Sequence, residues 1–187
     1  MAYISRLSLP LLLILAFCTI GATNFQKPKS GKTSVYVVRH AEKDISDKKN
    51  TDPALSEAGK VRAADLTRML SKQKFAAVFS TNYIRTKATV SELAQKNGLV
   101  IEIYDPRKPD VLTHLIKTKY SGKKVLIAGH SNTVLELVEA LGGHRPLKEL
   151  TEEDYDLLFQ LKLKSDKISL KTIRYGAPHH VTPLASK

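Results

Sequence analysis

The sequence predicts an α/β protein, built as a three-layer α/β/α sandwich with a mainly parallel central sheet and a C-terminal hairpin. Short apolar runs alternate with longer segments of helical periodicity through the middle of the chain. This alternation is typical of parallel strands covered by helices on both faces. Residues 155–163 and 167–175 then alternate apolar and polar positions on either side of a short polar turn. They predict an antiparallel hairpin, which makes the sheet mixed.

Each strand is predicted from a short apolar run, and each helix from apolar positions that recur every three or four residues. The first strand is rich in Val, and it ends at Arg39 and His40. Residues 44–53 are polar and charged, so they form a loop that we expect to lie over the site. The Asn97-Gly98 and Gly142-Gly143 pairs are helix stop signals. The predicted strands are 35–38, 76–80, 99–104 and 125–128, and the predicted helices are 58–70, 85–96, 110–119 and 134–141.

Length and charge limit the organisation and the partners of the chain. The 187 residues are enough for one sizeable core and show no internal repeat. We therefore place one domain at 33–176, preceded by a linker at 24–32 and followed by a loose tail at 177–187. The net charge of +12 comes from scattered lysines without a nucleic-acid-binding motif. It predicts a solvated basic surface that steers anionic substrates, with no nucleic acid as partner.

Residues 1–23 have the layout of a secretory signal peptide. A positive start is followed by an apolar stretch at 7–20 and by the small residues 21–23. The stretch is short for a membrane span, which needs about 20 apolar residues. We therefore expect a secreted or periplasmic protein, with a retained N-terminal anchor as the alternative. Lipidation of Cys18 is a second route to a membrane, although Phe17 stands where lipoprotein signals have a small residue. Cys18 is the single cysteine, which excludes an internal disulfide.

Arginine and histidine side chains follow several of the predicted strands. Arg39 and His40 end the first strand, His130 follows the strand at 125–128, and Arg85 opens the helix after the strand at 76–80. In open α/β sheets the carboxyl ends of the strands form the ligand-binding edge. An imidazole there can be a nucleophile, a general base or a metal ligand. A neighbouring guanidinium repels a metal cation and suits phosphate, and no cluster has metal-ligand spacing, so we predict an anion site without a metal.

Four segments, in order, resemble the motifs of the histidine phosphatase superfamily, also called the phosphoglycerate mutase-like family. Arg39-His40-Ala41 is similar to its Arg-His-Gly motif, with Ala in place of Gly. Residues 55–59, Leu-Ser-Glu-Ala-Gly, are similar to its Leu-Thr-x-x-Gly segment. Residues 80–89 are similar to its Ser-x-x-x-x-Arg-x-x-x-Thr segment, and Gly129-His130-Ser131 to its second-histidine motif. The chain is short and resembles the small single-domain phosphatase branch.

The resemblance implies a phosphoglycerate mutase-like fold and hydrolysis of phosphate monoesters through a phosphohistidine on His40. Arg39, Arg85 and His130 are then expected to surround the phosphoryl oxygens of a small phosphorylated substrate, with no cofactor. Ser80 is a further candidate for phosphate binding, and its alternative role is to cap the turn. Two other functions remain open, which are a catalytically weak phosphate-binding or surface protein of this fold and a mutase-type phosphotransferase.

The general acid that protonates the leaving group is the open point of the resemblance. The family uses a Glu downstream of the second Arg or an Asp directly after the second His, where this chain has Ser131. The candidates are Asp105, Glu102 and Glu42. Asp105 is preferred because it follows the strand at 99–104, although it also suits a turn before a proline. Without an acid, the enzyme is restricted to good leaving groups such as phosphohistidine, anhydrides or aryl phosphates.

Overall fold

The computed structural model describes residues 31–165 and 167–180, and in them every predicted helix and strand is present within two residues of its expected ends. The predicted signal peptide, Cys18, most of the linker and the end of the tail lie outside the described residues. Within the described residues, no helix is both long and apolar enough to cross a membrane. The elements are β1 (Thr33–Arg39), α1 (Glu57–Leu70), β2 (Ala77–Ser80), α2 (Ile84–Lys96), β3 (Ile101–Ile103), α3 (Pro109–Thr118), β4 (Lys124–Gly129), α4 (Val134–Ala140), β5 (Leu157–Lys164) and β6 (Lys167–Arg174).

The six strands form one mixed sheet in the order β3-β2-β4-β1-β5-β6. The first four strands of that order are parallel, and β5 and β6 add to β1 as an antiparallel hairpin, as predicted. The strand β4 lies between β1 and β2, with Arg39 beside Gly129 in the register. The residues that follow β1, β2 and β4 therefore emerge next to one another at the carboxyl edge of the sheet.

Two hydrophobic layers confirm the three-layer sandwich. Val35 and Val37 of β1 pack on one face of the sheet against α3 and α4. Tyr36 and Val38 pack on the other face against α1 and α2. Because both faces are covered, the central strands are apolar at nearly every position and show no alternation in their sequence.

The Leu-Ser-Glu-Ala-Gly segment docks the start of α1 onto the backbone that follows His40. Ser56 caps the helix by accepting a hydrogen bond from the Gly59 amide at 3.1 Å, and its own amide donates to the Glu42 carbonyl at 3.0 Å. A Cβ atom on Gly59 would overlap that same carbonyl oxygen. The glycine is therefore needed for this close approach, which fixes the loop that carries His40.

Candidate active site

His40 lies one residue beyond β1, with its side chain almost fully buried at 4% exposure. Its Nδ1 is 2.7 Å from the Ala41 carbonyl oxygen, which can only accept a hydrogen bond. The proton therefore resides on Nδ1, and Nε2 keeps its lone pair, which accepts from Nε of Arg85 at 3.3 Å. Burial, helped by the charges of Arg39 and Arg85, lowers the pKa of His40 to about 3. His40 is consequently a neutral imidazole at physiological pH, as a nucleophile must be.

His130 follows β4 directly, and its ring centroid is 5.3 Å from that of His40. Its Nε2 is 2.8 Å from the hydroxyl of Thr81, at the end of β2. Burial lowers its pKa to about 4, and the charges of Arg85 and Arg39 act in the same direction. Three neighbouring strand ends thus bring together two neutral imidazoles within one anion-attracting environment.

Arg39 is the last residue of β1, and its side chain is only 2% exposed. Its Nη1 donates to the Thr151 carbonyl at 2.6 Å, and its Nη2 pairs with the Glu152 carboxylate at 3.0 Å. The guanidinium carbon lies 4.0 Å from the centre of the Tyr155 ring. A buried charge is tolerated only when it is paired and hydrogen-bonded, and these contacts hold the cation in one orientation.

Arg85 is positioned by the loop between β1 and α1. Its Nη1 is 3.3 Å from the Asp52 carboxylate, which also accepts from the Ile84 amide at 3.0 Å. The guanidinium packs over the Tyr83 ring at 4.6 Å. Asp52 belongs to the polar segment 44–53, so that loop reaches the site, as predicted. This carboxylate caps the start of α2 and orients Arg85.

Thr89 explains the Arg-x-x-x-Thr spacing, because positions four apart lie on one face of a helix. Its hydroxyl donates to the Arg85 carbonyl at 2.8 Å and accepts from the Ala41 amide at 2.9 Å. The Ala41 carbonyl in turn orients His40. Thr89 therefore links α2 to the loop that holds the imidazole.

A cavity of about 720 Å³ opens at this edge of the sheet. Its wall includes His40, Arg85 and His130, whereas Arg39 is buried beneath the wall. The volume is in the range of small-molecule sites and exceeds what a phosphate ion needs. Among the described residues, no group of three or more His, Cys, Asp or Glu side chains is placed to hold a metal ion.

Ser80, the predicted phosphate-binding candidate, lies at the end of β2 and is fully buried. Its hydroxyl donates to the Thr81 carbonyl at 2.8 Å, and its side chain does not line the cavity. The cavity wall at this point is formed by Thr81, which contacts His130. The sequence offered one signal for Thr81, which is its position directly after the strand.

The three candidate acids lie in different surroundings. Asp105 lines the cavity, where its two carboxylate oxygens accept from the side chain of Arg107 at 3.0 Å each. These bonds hold the pKa of Asp105 below its usual value, so the carboxyl group is ionised. Glu102 accepts from the Tyr120 hydroxyl at 2.6 Å beside another groove, and Glu42 is buried against Arg62, so neither lines this cavity.

Glu152 lines the cavity and was not among the residues predicted from the sequence. One carboxylate oxygen pairs with Arg39, and the other pairs with Lys43 at 3.2 Å. Ser131, directly after His130, donates to the first of these oxygens at 3.4 Å. Glu152 comes from the loop between α4 and β5, in an acidic run whose sequence carries no motif.

A family model described as the histidine phosphatase superfamily (branch 1) matches residues 35–106. This range includes the first three of the four motifs. No curated protein matches the sequence.

Several solved phosphatase structures share the fold over about three quarters of the chain. A mycobacterial glucosyl-3-phosphoglycerate phosphatase is 14% identical, with a TM-score of 0.59, over 79% of this chain and 100% of its own. The putative phosphohistidine phosphatase SixA from Agrobacterium tumefaciens is 24% identical, with a TM-score of 0.56, over 78% and 98%. The protein histidine phosphatase SixA in complex with tungstate is 17% identical, with a TM-score of 0.58, over 75% and 96%. These findings confirm the phosphoglycerate mutase-like fold and the resemblance that the motifs carry.

Proposed function

We propose that this chain, which has the motifs and the fold of the histidine phosphatase superfamily, hydrolyses phosphate monoesters through a phosphohistidine on His40. One observation carries the proposal. The imidazole is buried and neutral, and its Nδ1 donates to the Ala41 carbonyl. Its unprotonated Nε2 lies 3.3 Å from Nε of Arg85, in the wall of the cavity. A nucleophile with a fixed tautomer beside a phosphate-binding cation is suited to phosphoryl transfer.

In the first step, Nε2 of His40 attacks phosphorus in line with the leaving oxygen. The N–P bond forms while the bond to the leaving group breaks, and Arg39, Arg85 and His130 hold the charge on the equatorial oxygens. Water then attacks phosphorus, the N–P bond breaks, and inorganic phosphate leaves. The cationic side chains supply the charge stabilisation that metal ions supply in other phosphoryl-transfer enzymes.

Leaving groups of low basicity suit this site best. Asp105 remains our proposed acid for more basic leaving groups, but its contact with Arg107 favours the ionised form, which cannot donate a proton. We therefore propose substrates such as aryl phosphates, anhydrides and phosphohistidine. The likeness in fold to SixA, named as a phosphohistidine phosphatase, supports the last class.

In the decisive experiment, the purified protein reacts with a ³²P-labelled aryl phosphate. The reaction is stopped rapidly without acid, and the label is located by peptide mapping. We expect an acid-labile, base-stable adduct on His40, as a phosphoramidate requires. His40→Ala should lose both the adduct and turnover, because no other group is proposed to form the bond. His114→Ala is the matched control, since His114 lies exposed on α3. An adduct on Ser or Asp, or full activity in His40→Ala, would refute the proposal.

We also propose that the protein acts outside the cytoplasm, on the basis of the signal-like residues 1–23. Mass spectrometry of the native protein should find a mature start near residues 19–27. An intact N-terminus in a soluble cytoplasmic fraction would contradict export, and a diacylated Cys18 would replace secretion by membrane anchoring.

A further inference from the structure

Glu152 is held at the edge of the cavity by three side chains. Its Oε1 pairs with Nη2 of Arg39 at 3.0 Å and accepts from Ser131 at 3.4 Å, and its Oε2 pairs with Lys43 at 3.2 Å. Arg39 is one of the cations proposed to hold the phosphoryl group. Arg39 lies beneath the cavity wall and Glu152 lines the cavity beside it, so a phosphoryl group held at this guanidinium would come close to the carboxylate.

The loop that carries Glu152 has a defined shape. The buried carboxylate of Asp154 accepts from the amide and the hydroxyl of Thr151, each at 2.8 Å. Nη1 of Arg39 donates to the Thr151 carbonyl at 2.6 Å. The loop is thus tied to Arg39 through its backbone as well as through the Glu152 side chain. A carboxylate held in this way is pre-organised for a role in the reaction.

The charge state of Glu152 suits a proton acceptor. Burial raises the pKa of Glu152, but the charges of Arg39 and Lys43 outweigh burial and leave its pKa below the usual value. The carboxylate is therefore ionised at neutral pH, so it can accept a proton and has none to donate. The side chain is 61% exposed, which lets water reach it from the cavity.

Resting on the proposed phosphohistidine, we infer that Glu152 is the general base for hydrolysis of phosphorylated His40. A water molecule hydrogen-bonded to Glu152 attacks phosphorus opposite Nε2, and its O–P bond forms as the P–Nε2 bond breaks. The electron pair of the broken bond returns to Nε2 of His40. The proton of the water passes to the Glu152 carboxylate and from there to bulk solvent, which leaves phosphate and the neutral imidazole.

The two steps of the reaction are formation and breakdown of phosphorylated His40. Their separate rates distinguish a general base from the other roles that a carboxylate at this position could have. A base for water acts on breakdown of the phosphoenzyme only. An acid for the leaving group acts on its formation, and more strongly with alkyl than with aryl phosphates. A residue that only shapes the site slows formation as much as breakdown, with both kinds of substrate.

The test is single-turnover rapid quench of Glu152→Gln with ³²P-labelled aryl and alkyl phosphates. We expect phosphohistidine to break down about 10²-fold or more slowly, in the range of general-base catalysis. Its formation should slow far less, because the Gln amide oxygen still accepts a hydrogen bond from Arg39. The adduct should therefore accumulate, and added formate should restore part of its breakdown in Glu152→Ala. Glu153→Gln is the matched control, because Glu153 is the adjacent carboxylate, is exposed, and does not line the cavity.

Each other outcome overturns a specific claim. Phosphohistidine that forms in Glu152→Gln and breaks down at the wild-type rate removes Glu152 from the role of base. Slow formation with alkyl esters alone makes Glu152 the acid, and formation slowed as much as breakdown with both substrates makes it a structural residue. A wild type and a variant that both turn over without any adduct on His40 would refute the proposed phosphohistidine itself.

Discussion

A buried ion pair behind the catalytic loop offers a quantitative test of how the site is supported. Nε of Arg62, on α1, lies 2.8 and 3.0 Å from the two carboxylate oxygens of Glu42. Its Nη1 and Nη2 donate to the carbonyls of Tyr175 and Ala177, each at 3.0 Å. The side chains of the pair are only 3% and 10% exposed. Arg62 therefore joins the loop after His40 to the end of β6.

Arg62→Met should be strongly destabilising because it leaves the Glu42 charge buried without a partner. Breaking a buried pair in this way costs about 3–5 kcal/mol. In a domain of this size each kcal/mol lowers Tm by about 2–4 °C, so Tm should fall by about 6–20 °C. Because Glu42 directly follows Ala41, whose carbonyl orients His40, kcat should fall as well.

The measurement is urea unfolding and thermal melting of Arg62→Met beside a matched control. Lys60→Met, also on α1, removes an exposed pair with Glu57 (61% and 89% exposed) and should cost at most about 1 kcal/mol. The double variant Glu42→Gln/Arg62→Met should be more stable than Arg62→Met, since no lone charge remains buried. Equal destabilisation by Arg62→Met and Lys60→Met would refute the structural role of the pair.

Three further predictions concern the cavity. NMR titration of the His40 ring should find no protonation until the pH falls toward its lowered pKa of about 3. Since the unfolded chain titrates near 6.5, the free energy of unfolding should decrease as the pH is lowered from 6.5 to 3. A folded-state titration near 6.5 would contradict the burial of His40. Aryl phosphates should be hydrolysed much faster than alkyl phosphates at pH 7. Asp105→Asn should slow alkyl esters far more than aryl esters if Asp105 is their acid, and equal loss on both would exclude that role. Arg39→Ala and Arg85→Ala should each lower kcat/KM by about 10²–10³-fold and be non-additive when combined, because both hold one phosphoryl group, whereas strictly additive losses would place them on separate groups.

The sequence was enough to predict the order and type of the helices and strands. These depend on local periodicity, and here the local patterns agree with the final packing. The Arg39-His40 pair could be placed at a ligand-binding edge because a buried strand leads directly into it. Gly59 and Thr89 could be recognised through motifs, although their physical roles, a close approach to Glu42 and a bond to Ala41, appeared only in the folded chain.

The neighbours of the site were decided by contacts between residues far apart in the chain. The position of β4 between β1 and β2 puts His130 beside His40. Strand order depends on pairing between distant segments, so the local pattern of one segment does not predict it. Asp52 and Glu152 come from irregular loops, where no periodicity indicates which way a side chain points. Both carboxylates pair with arginines of the site, Asp52 with Arg85 and Glu152 with Arg39. A guanidinium removed from water is stabilised by such carboxylate partners, which only the folded chain brings to it.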